Sequence, residues 1–331
     1  MTDQPQRAGR SAVIDAVRLG GVLYIVGYFH LPWYVSYVPG IGNPLVKAAV
    51  VLALGLFVLV SGYLLGNTDR SGQWVTRFYR RRFVRIYVPF VLTSIVFLTM
   101  SLEDLATFAK SIFLVAMFLP PPPLTLWFVT MIGLFYVLAP VLITASERPV
   151  GLLLIAAATM AALLIYHGLW RLDPRIAIYF PDFAAGIYFS RRALPRSPVA
   201  LVALVALAAL SVVPVWLNRP EAGPAEFALE ATPCALLAPL AVFTVAMRFA
   251  GQFRSPPMLS VLGEASFFIY LLHRPIYRAL TLVWQPREPP AQATYILLIG
   301  LPLVVAASVA ALFVTRRLNF HRAPLAASRS A

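Results

Sequence analysis

The sequence predicts an all-α polytopic integral membrane protein that crosses the bilayer about ten times, with both termini cytoplasmic. Three observations predict it. The 331 residues are 60% hydrophobic and 12% charged, with a mean hydropathy of +0.80, which is far more apolar than a soluble domain. Apolar runs long enough for a helix to cross hydrocarbon recur along the chain. Most basic residues sit in every second connection, as they do in short cytoplasmic loops. No long polar stretch offers a second core, so residues 1–331 read as a single transmembrane domain with cytoplasmic tails at 1–12 and 315–331.

The expected helices lie near 13–33, 45–66, 84–103, 124–145, 150–169, 175–190, 199–217, 228–250, 258–281 and 294–314, each bounded by charge or proline. The first follows a polar stretch and has no small-residue cleavage site behind it, so it is expected to insert and stay. It carries Asp15 and Arg18 one turn apart, then His30 about 18 Å further along, beside Trp33 and Tyr34. The second ends in Val60-Ser61-Gly62-Tyr63. Close helix packing at Gly62 is a simpler account of that run than a nucleophile elbow. The third helix opens in a basic run from Arg77 to Arg85, which serves equally as an anchor on anionic headgroups or as a grip for a phosphate-rich cytosolic ligand. Residues 108–119 are too short to span and precede Pro120, Pro121, Pro122 and Pro123, so an interfacial or re-entrant piece is expected there. The sixth helix is short, contains Pro181, and carries Asp182, for which a pair with a neighbouring Arg is the plainer alternative to a functional role. The ninth places Glu264 and His273 nine residues apart, two and a half turns, and therefore on different sides.

A net charge of +14 would point to nucleic acid in a soluble protein. Here the Arg residues separate hydrophobic segments, so no nucleic-acid partner is expected and membrane lipids are. A lone Cys234 excludes an intrachain disulfide and a cysteine metal cluster, and no metal is expected. No phosphate-binding glycine loop, HExxH or GxSxG motif occurs. Ionisable groups in hydrocarbon are costly and usually face a protein interior, which makes Arg18, His30, Asp182, Glu264 and His273 the first functional candidates. Each has a plainer alternative: an Arg18–Asp15 ion pair, a belt position for His30, and structural hydrogen bonds between helices for Glu264 and His273.

Several runs recur together: Ile14-Asp15-Ala16-Val17-Arg18 leading to His30, Phe57 to Tyr63, Phe78 to Ile86, Leu126-Trp127-Phe128 with Tyr136 and Pro140, Phe183 with Gly186, Leu262 to Ser266, and Tyr270-Leu271-Leu272-His273. In this order, over nearly the whole length, the chain resembles the acyltransferase 3 family of membrane acyltransferases, which O-acylate surface glycans, lipids and some antibiotics. The resemblance implies an acyl-CoA-dependent O-acyltransferase in a cell membrane, with a bacterial inner membrane expected. Acyl-CoA, expected to be acetyl-CoA, would be held from the cytoplasm by Arg18, Arg80, Arg81, Arg82 and Arg85. His30 would act as general base on a hydroxyl of a glycan or glycolipid acceptor, with His273 and Glu264 as further catalytic residues and Ser266, Tyr270 and Trp127 at the substrate. The membrane domain or a separate partner would complete the transfer without the extracytoplasmic hydrolase-like domain that some relatives carry. A homo-oligomer is left open.

One departure from the family concerns register. Its first-helix Arg and His are separated by about ten residues, whereas here residues 19–29 make eleven. One added residue turns His30 by about 100° on an ideal helix. Either a π-bulge near Gly27 restores the register, or His30 is not the family's catalytic histidine. The rival reading is a transporter or flippase for a lipid-linked sugar or small solute, whose charges bind cargo without acyl chemistry. The absence of a visible repeat between the two halves of the sequence weighs against it.

Overall fold

A computed structural model describes residues 12–170, 172–217, 224–252 and 256–320. The expected tail 1–12 therefore falls almost wholly outside the described residues, as do residues 321–331 of the other tail, and Arg254, whereas residues 315–320 are helical and continue the last helix (Leu301–Phe320). Among the described residues there is no strand. The helices are α1 (Ala12–Tyr24), α2 (Pro44–Gly66), α3 (Trp74–Arg82), α4 (Val88–Thr99), α5 (Leu105–Ile112), α6 (Trp127–Ala145), α7 (Pro149–Trp170), α8 (Arg175–Ser190), α9 (Pro198–Leu217), α10 (Pro224–Arg248), α11 (Pro257–Val283), α12 (Pro289–Tyr295) and α13 (Leu301–Phe320). Three π turns modify this order: Ile25–Phe29 prolongs α1, Phe83–Tyr87 joins α3 to α4, and Ile296–Gly300 joins α12 to α13.

Among the described residues, eight runs are long and apolar enough to cross a membrane: Ala12–Trp33, Pro44–Gly66, Trp74–Thr99, Trp127–Ala145, Pro149–Leu169, Pro198–Leu217, Glu230–Arg248 and Pro289–Arg317. The helices expected as sixth and ninth, α8 and α11, are not among the eight. With 16 residues α8 is short, and α11 carries Glu264, His273, Arg274 and Arg278. Both bury much of their length, including Phe180, Phe183 and Ile187 on α8 and Ala265, Ile269 and His273 on α11. A helix enclosed by protein needs neither full length nor an apolar circumference. The outer helices do, and Leu153, Leu154, Val199, Val202 and Leu298 are exposed on them, as a lipid-facing surface requires.

The third span begins at Trp74, about ten residues before the expected boundary, because the basic run 77–85 is itself helical and continues through its π turn. After α4 the chain turns at Ser101 (φ 54°). There Asp104 caps α5 by accepting from the Thr107 amide at 2.7 Å. The following segment dips back into the bundle, burying Ala116, Met117, Thr125 and Leu126 while Phe113 and Leu119 stay exposed. Within the stretch 108–119, Ser111, Ala116 and Met117 are thus packed inside the protein.

Two glycine-mediated seams organise the bundle. Between α2 and α8, a Cβ on Gly62 would collide with the Phe183 carbonyl, and one on Gly186 with the Leu59 carbonyl. The two backbones are in contact, as small residues permit in membrane helices. Ser61 on α2 donates to the Phe57 carbonyl at 2.7 Å, an ordinary helical back-bond. Between α1 and α11, a Cβ on Gly263 would meet Asp15 at 2.6 Å, and Asp15 is 1% exposed. No Arg hydrogen-bonds Asp182 among the described residues, so the plainer alternative for it does not hold. The residue is wholly buried and neither carboxylate oxygen makes a hydrogen bond. It lies mid-helix toward Gly55.

Candidate functional site

Six helical elements enclose a cavity of about 740 Å³, and the order of its lining residues along each helix gives it two ends. Moving up α1 the lining passes from Arg18 to Ile25, and up α11 from Glu264 through Ser266 to Tyr270. Moving down α2 it passes from Leu54 to Leu65, and down α6 from Phe128 to Tyr136. Arg18, Arg82, Arg85, Arg316 and Glu264 thus share one end, and Ile25, Leu54, Phe128 and Tyr270 the other. The separation is about 10 Å along α1.

The polar end is ordered by its neighbours. Arg316 on α13 pairs with Glu264, its Nε 3.1 Å from Oε2. The Arg82 guanidinium lies over Tyr136, 5.4 Å from the ring centroid, and over Phe78 at 5.7 Å, a geometry in which the rings hold the cation. Of the residues expected to grip a donor, Arg18, Arg82 and Arg85 line the cavity. Arg80 and Arg81 do not line it and are exposed on α3.

At the other end, just behind Tyr270, two histidines meet. His30 Nδ1 lies 2.9 Å from His273 Nε2, with the rings stacked at 5.0 Å and 11° between planes. His30 is 8% exposed and His273 is fully buried. The π turn Ile25–Phe29, with Gly27 at its centre, directly precedes His30, whose amide donates to the Ile25 carbonyl at 2.9 Å. The additional residue of the turn is accommodated there, and His30 faces α11 rather than lipid.

The bonds of the pair determine its tautomers when both rings are neutral. His273 Nδ1 lies 2.7 Å from the Tyr270 carbonyl, which can only accept, so His273 carries its proton on Nδ1. Its Nε2 is then an acceptor. His30 must donate from Nδ1, which leaves the lone pair of His30 Nε2 for chemistry. The neighbouring ring of Tyr270 is held in turn by its hydroxyl, which donates to the Thr125 carbonyl at 2.6 Å.

The structure joins His30, His273 and Tyr270 but not the other expected members. Glu264 lies nine residues from His273, about 14 Å along α11, and is committed to Arg316, so it does not orient His30. Ser266 lines the cavity but donates to the Gly263 carbonyl at 2.8 Å. Trp127 is outside the lining, with Arg175 over its face at 3.9 Å from the centroid and Phe128 at its edge. Two residues that the sequence reading did not single out as site residues also belong here. Arg316 sits in the last turns of its helix and read as part of a basic tail. Arg274, adjacent to His273, is a charge in the interior of a helix, which was a signal available in the sequence. No group of three or more His, Cys, Asp or Glu side chains among the described residues is placed to hold a metal ion.

A family model described as an acyltransferase domain matches residues 12–315, nearly the whole chain. No curated protein and no solved structure matches it.

Proposed function

The chain belongs to the acyltransferase 3 family, and from that premise we propose that it moves an acyl group, expected to be acetyl, from cytoplasmic acyl-CoA to a hydroxyl of a glycan or glycolipid. The observation that carries this reading is a single cavity with arginines at one end and the His30–His273 pair behind the other. A CoA thioester has the matching polarity: its phosphates suit Arg18, Arg82, Arg85 and Arg316, and its arm suits an apolar passage ending at Phe128 and Tyr270. In this reading α8 and α11 complete ten spans, and the arginine end faces the cytoplasm.

His30 Nε2 takes the proton of the acceptor hydroxyl as that oxygen attacks the thioester carbonyl carbon. The carbon–sulfur bond breaks, and the leaving CoA thiolate takes the proton back from His30. Acyl ester and CoA thiol are the products. While His30 is charged, its Nδ1–H goes on donating to His273 Nε2, and the Tyr270 carbonyl holds His273 in the accepting tautomer. That is the orienting task of a third group in a catalytic triad, done here by a backbone oxygen.

The test is binding of labelled acetyl-CoA to purified protein, with unlabelled CoA as competitor. Wild type is expected to bind saturably, and Arg18→Ala and Arg82→Ala each to weaken binding about tenfold, the loss of one charge-assisted contact. Folded protein that binds neither acetyl-CoA nor longer acyl-CoAs would overturn the reading in favour of a transporter.

A further inference from the structure

Arg274 is a charged residue beside the histidine pair to which the proposed chemistry gives no task. It is 4% exposed. Its guanidinium lies 4.4 Å from the centroid of the Trp33 ring, and its Nε makes no hydrogen bond. No carboxylate among the described residues pairs with it. The polar groups nearest in its field are the hydroxyls of Tyr34 and Tyr270. The first lies against the guanidinium as a neutral polar neighbour that brings no negative charge, and the second is given to Thr125.

A buried cation without an anion is unfavourable, and it persists where something that binds supplies the missing charge. Reach to lipid headgroups does not explain it. Arg274 lies nine residues before the end of α11 at Val283, about 14 Å along the axis, and its side chain is enclosed. It is also outside the lining of the arginine-ended cavity, one residue beyond His273 on the side away from Glu264. An anion held there therefore belongs to the acceptor rather than to CoA. Trp33, 60% exposed, roofs the guanidinium with an aromatic face of the kind a sugar ring can stack on. Arg278, one turn further along α11 and exposed, adds positive charge toward the same end.

We propose that Arg274 and Trp33 form an acceptor subsite for an anionic glycan, in which carboxylate or phosphate oxygens dock on the Arg274 guanidinium and so bring the acceptor hydroxyl to His30. The proposal rests on the acyl-transfer reading, which supplies the reason for an acceptor to lie there. A planar guanidinium fork matches two oxygens of either anion.

The experiment uses the purified full chain and three labelled probes on one sugar: methyl glucoside, methyl glucuronide and glucose 1-phosphate. Equilibrium dialysis measures binding of each to wild type, Arg274→Gln and Arg274→Lys, and acetyl transfer from acetyl-CoA is followed in parallel. Wild type is expected to bind one or both anionic probes at least tenfold more tightly than the glucoside. Whichever anion binds distinguishes an acidic sugar from a phosphorylated one. Arg274→Gln is expected to remove that preference while leaving acetyl-CoA binding within twofold, and Arg274→Lys, which keeps the cation, to retain part of it. Equal binding of all three probes by wild type, no saturable anion binding, or a preference that survives in Arg274→Gln would overturn the subsite. Anion binding that Arg274→Gln abolishes, with no acetyl transfer by wild type, would sustain the subsite and overturn the acyl-transfer reading instead.

Discussion

The α2–α8 and α1–α11 seams use the same device, a glycine that brings backbone against a neighbouring helix, yet they carry different things. Around Gly62 and Gly186 the contact is carbonyl against glycine, with Leu59 and Phe183 buried beside it. Around Gly263 the contact brings Asp15 against α11, and the same two helices go on to join His30 to His273. Glu264 on α11 reaches α13 through Arg316. The difference teaches that close approach is a structural resource with two uses. The first seam spends it on van der Waals contact and a fixed frame, and the second holds polar groups at hydrogen-bond distance out of water, where their orientation is retained.

Changing each seam separately would sharpen the contrast, and the largest expected effect is on the polar one. His30→Ala should lower acyl transfer by about 10²–10⁴-fold, the usual share of a general base, while leaving thermal stability and acetyl-CoA binding near wild type. Radiolabelled transfer and a melting curve on the same preparation would check it, and a comparable fall in melting temperature would turn the pair into a packing feature. Gly186→Val is the counterpart at the apolar seam. Its side chain has only the Leu59 carbonyl and the Tyr63 amide to enter, so it should cost about 1–3 kcal/mol or more in overpacking. The variant should lose stability and activity together, seen as a lower melting temperature in detergent, and unchanged stability would mean the seam opens freely.

The smallest effect lies outside both seams. Burial, and then the charge of neighbouring Asp104, push the Glu103 carboxyl up to about 7. Its folded value exceeds its unfolded one of 4.5, so its contribution to stability is fully present below about 4.5 and is lost as pH rises from there to about 7. Melting temperature should therefore drop modestly across that interval, and Glu103→Gln should flatten the drop without touching activity. A pH profile that is identical in the variant would remove Glu103 from the account.

What the sequence made legible follows the same division. The polar seam was visible because Arg18, His30, Glu264 and His273 interrupt apolar runs, and a charge in hydrocarbon is conspicuous by its cost. Which of them meet was not visible, since Glu264 and His273 share a helix but face different partners, and only packing shows that His30 takes the second. Most helix positions were readable from hydropathy. The early start of α3 was not, because the arginines from Arg77 to Arg82 outweigh Trp74, Val75, Phe78 and Tyr79 in mean hydropathy although those residues share a helical period. Asp182 could be read as half of an ion pair and is a buried carboxyl whose oxygens make no hydrogen bond, because it packs toward Gly55 at the α2–α8 contact. Arg274 was passed over although it is as conspicuous as its neighbour.

The π turn at Ile25–Phe29 divides the first span into two rulers with separate zero points. Residues up to Tyr24 keep one angular count and those from His30 onward keep another, so a position number alone does not say which way a side chain points. Any comparison of this helix with one lacking the added residue should open its gap inside 25–29, since a gap on either side would set every residue between it and the turn against the wrong counterpart.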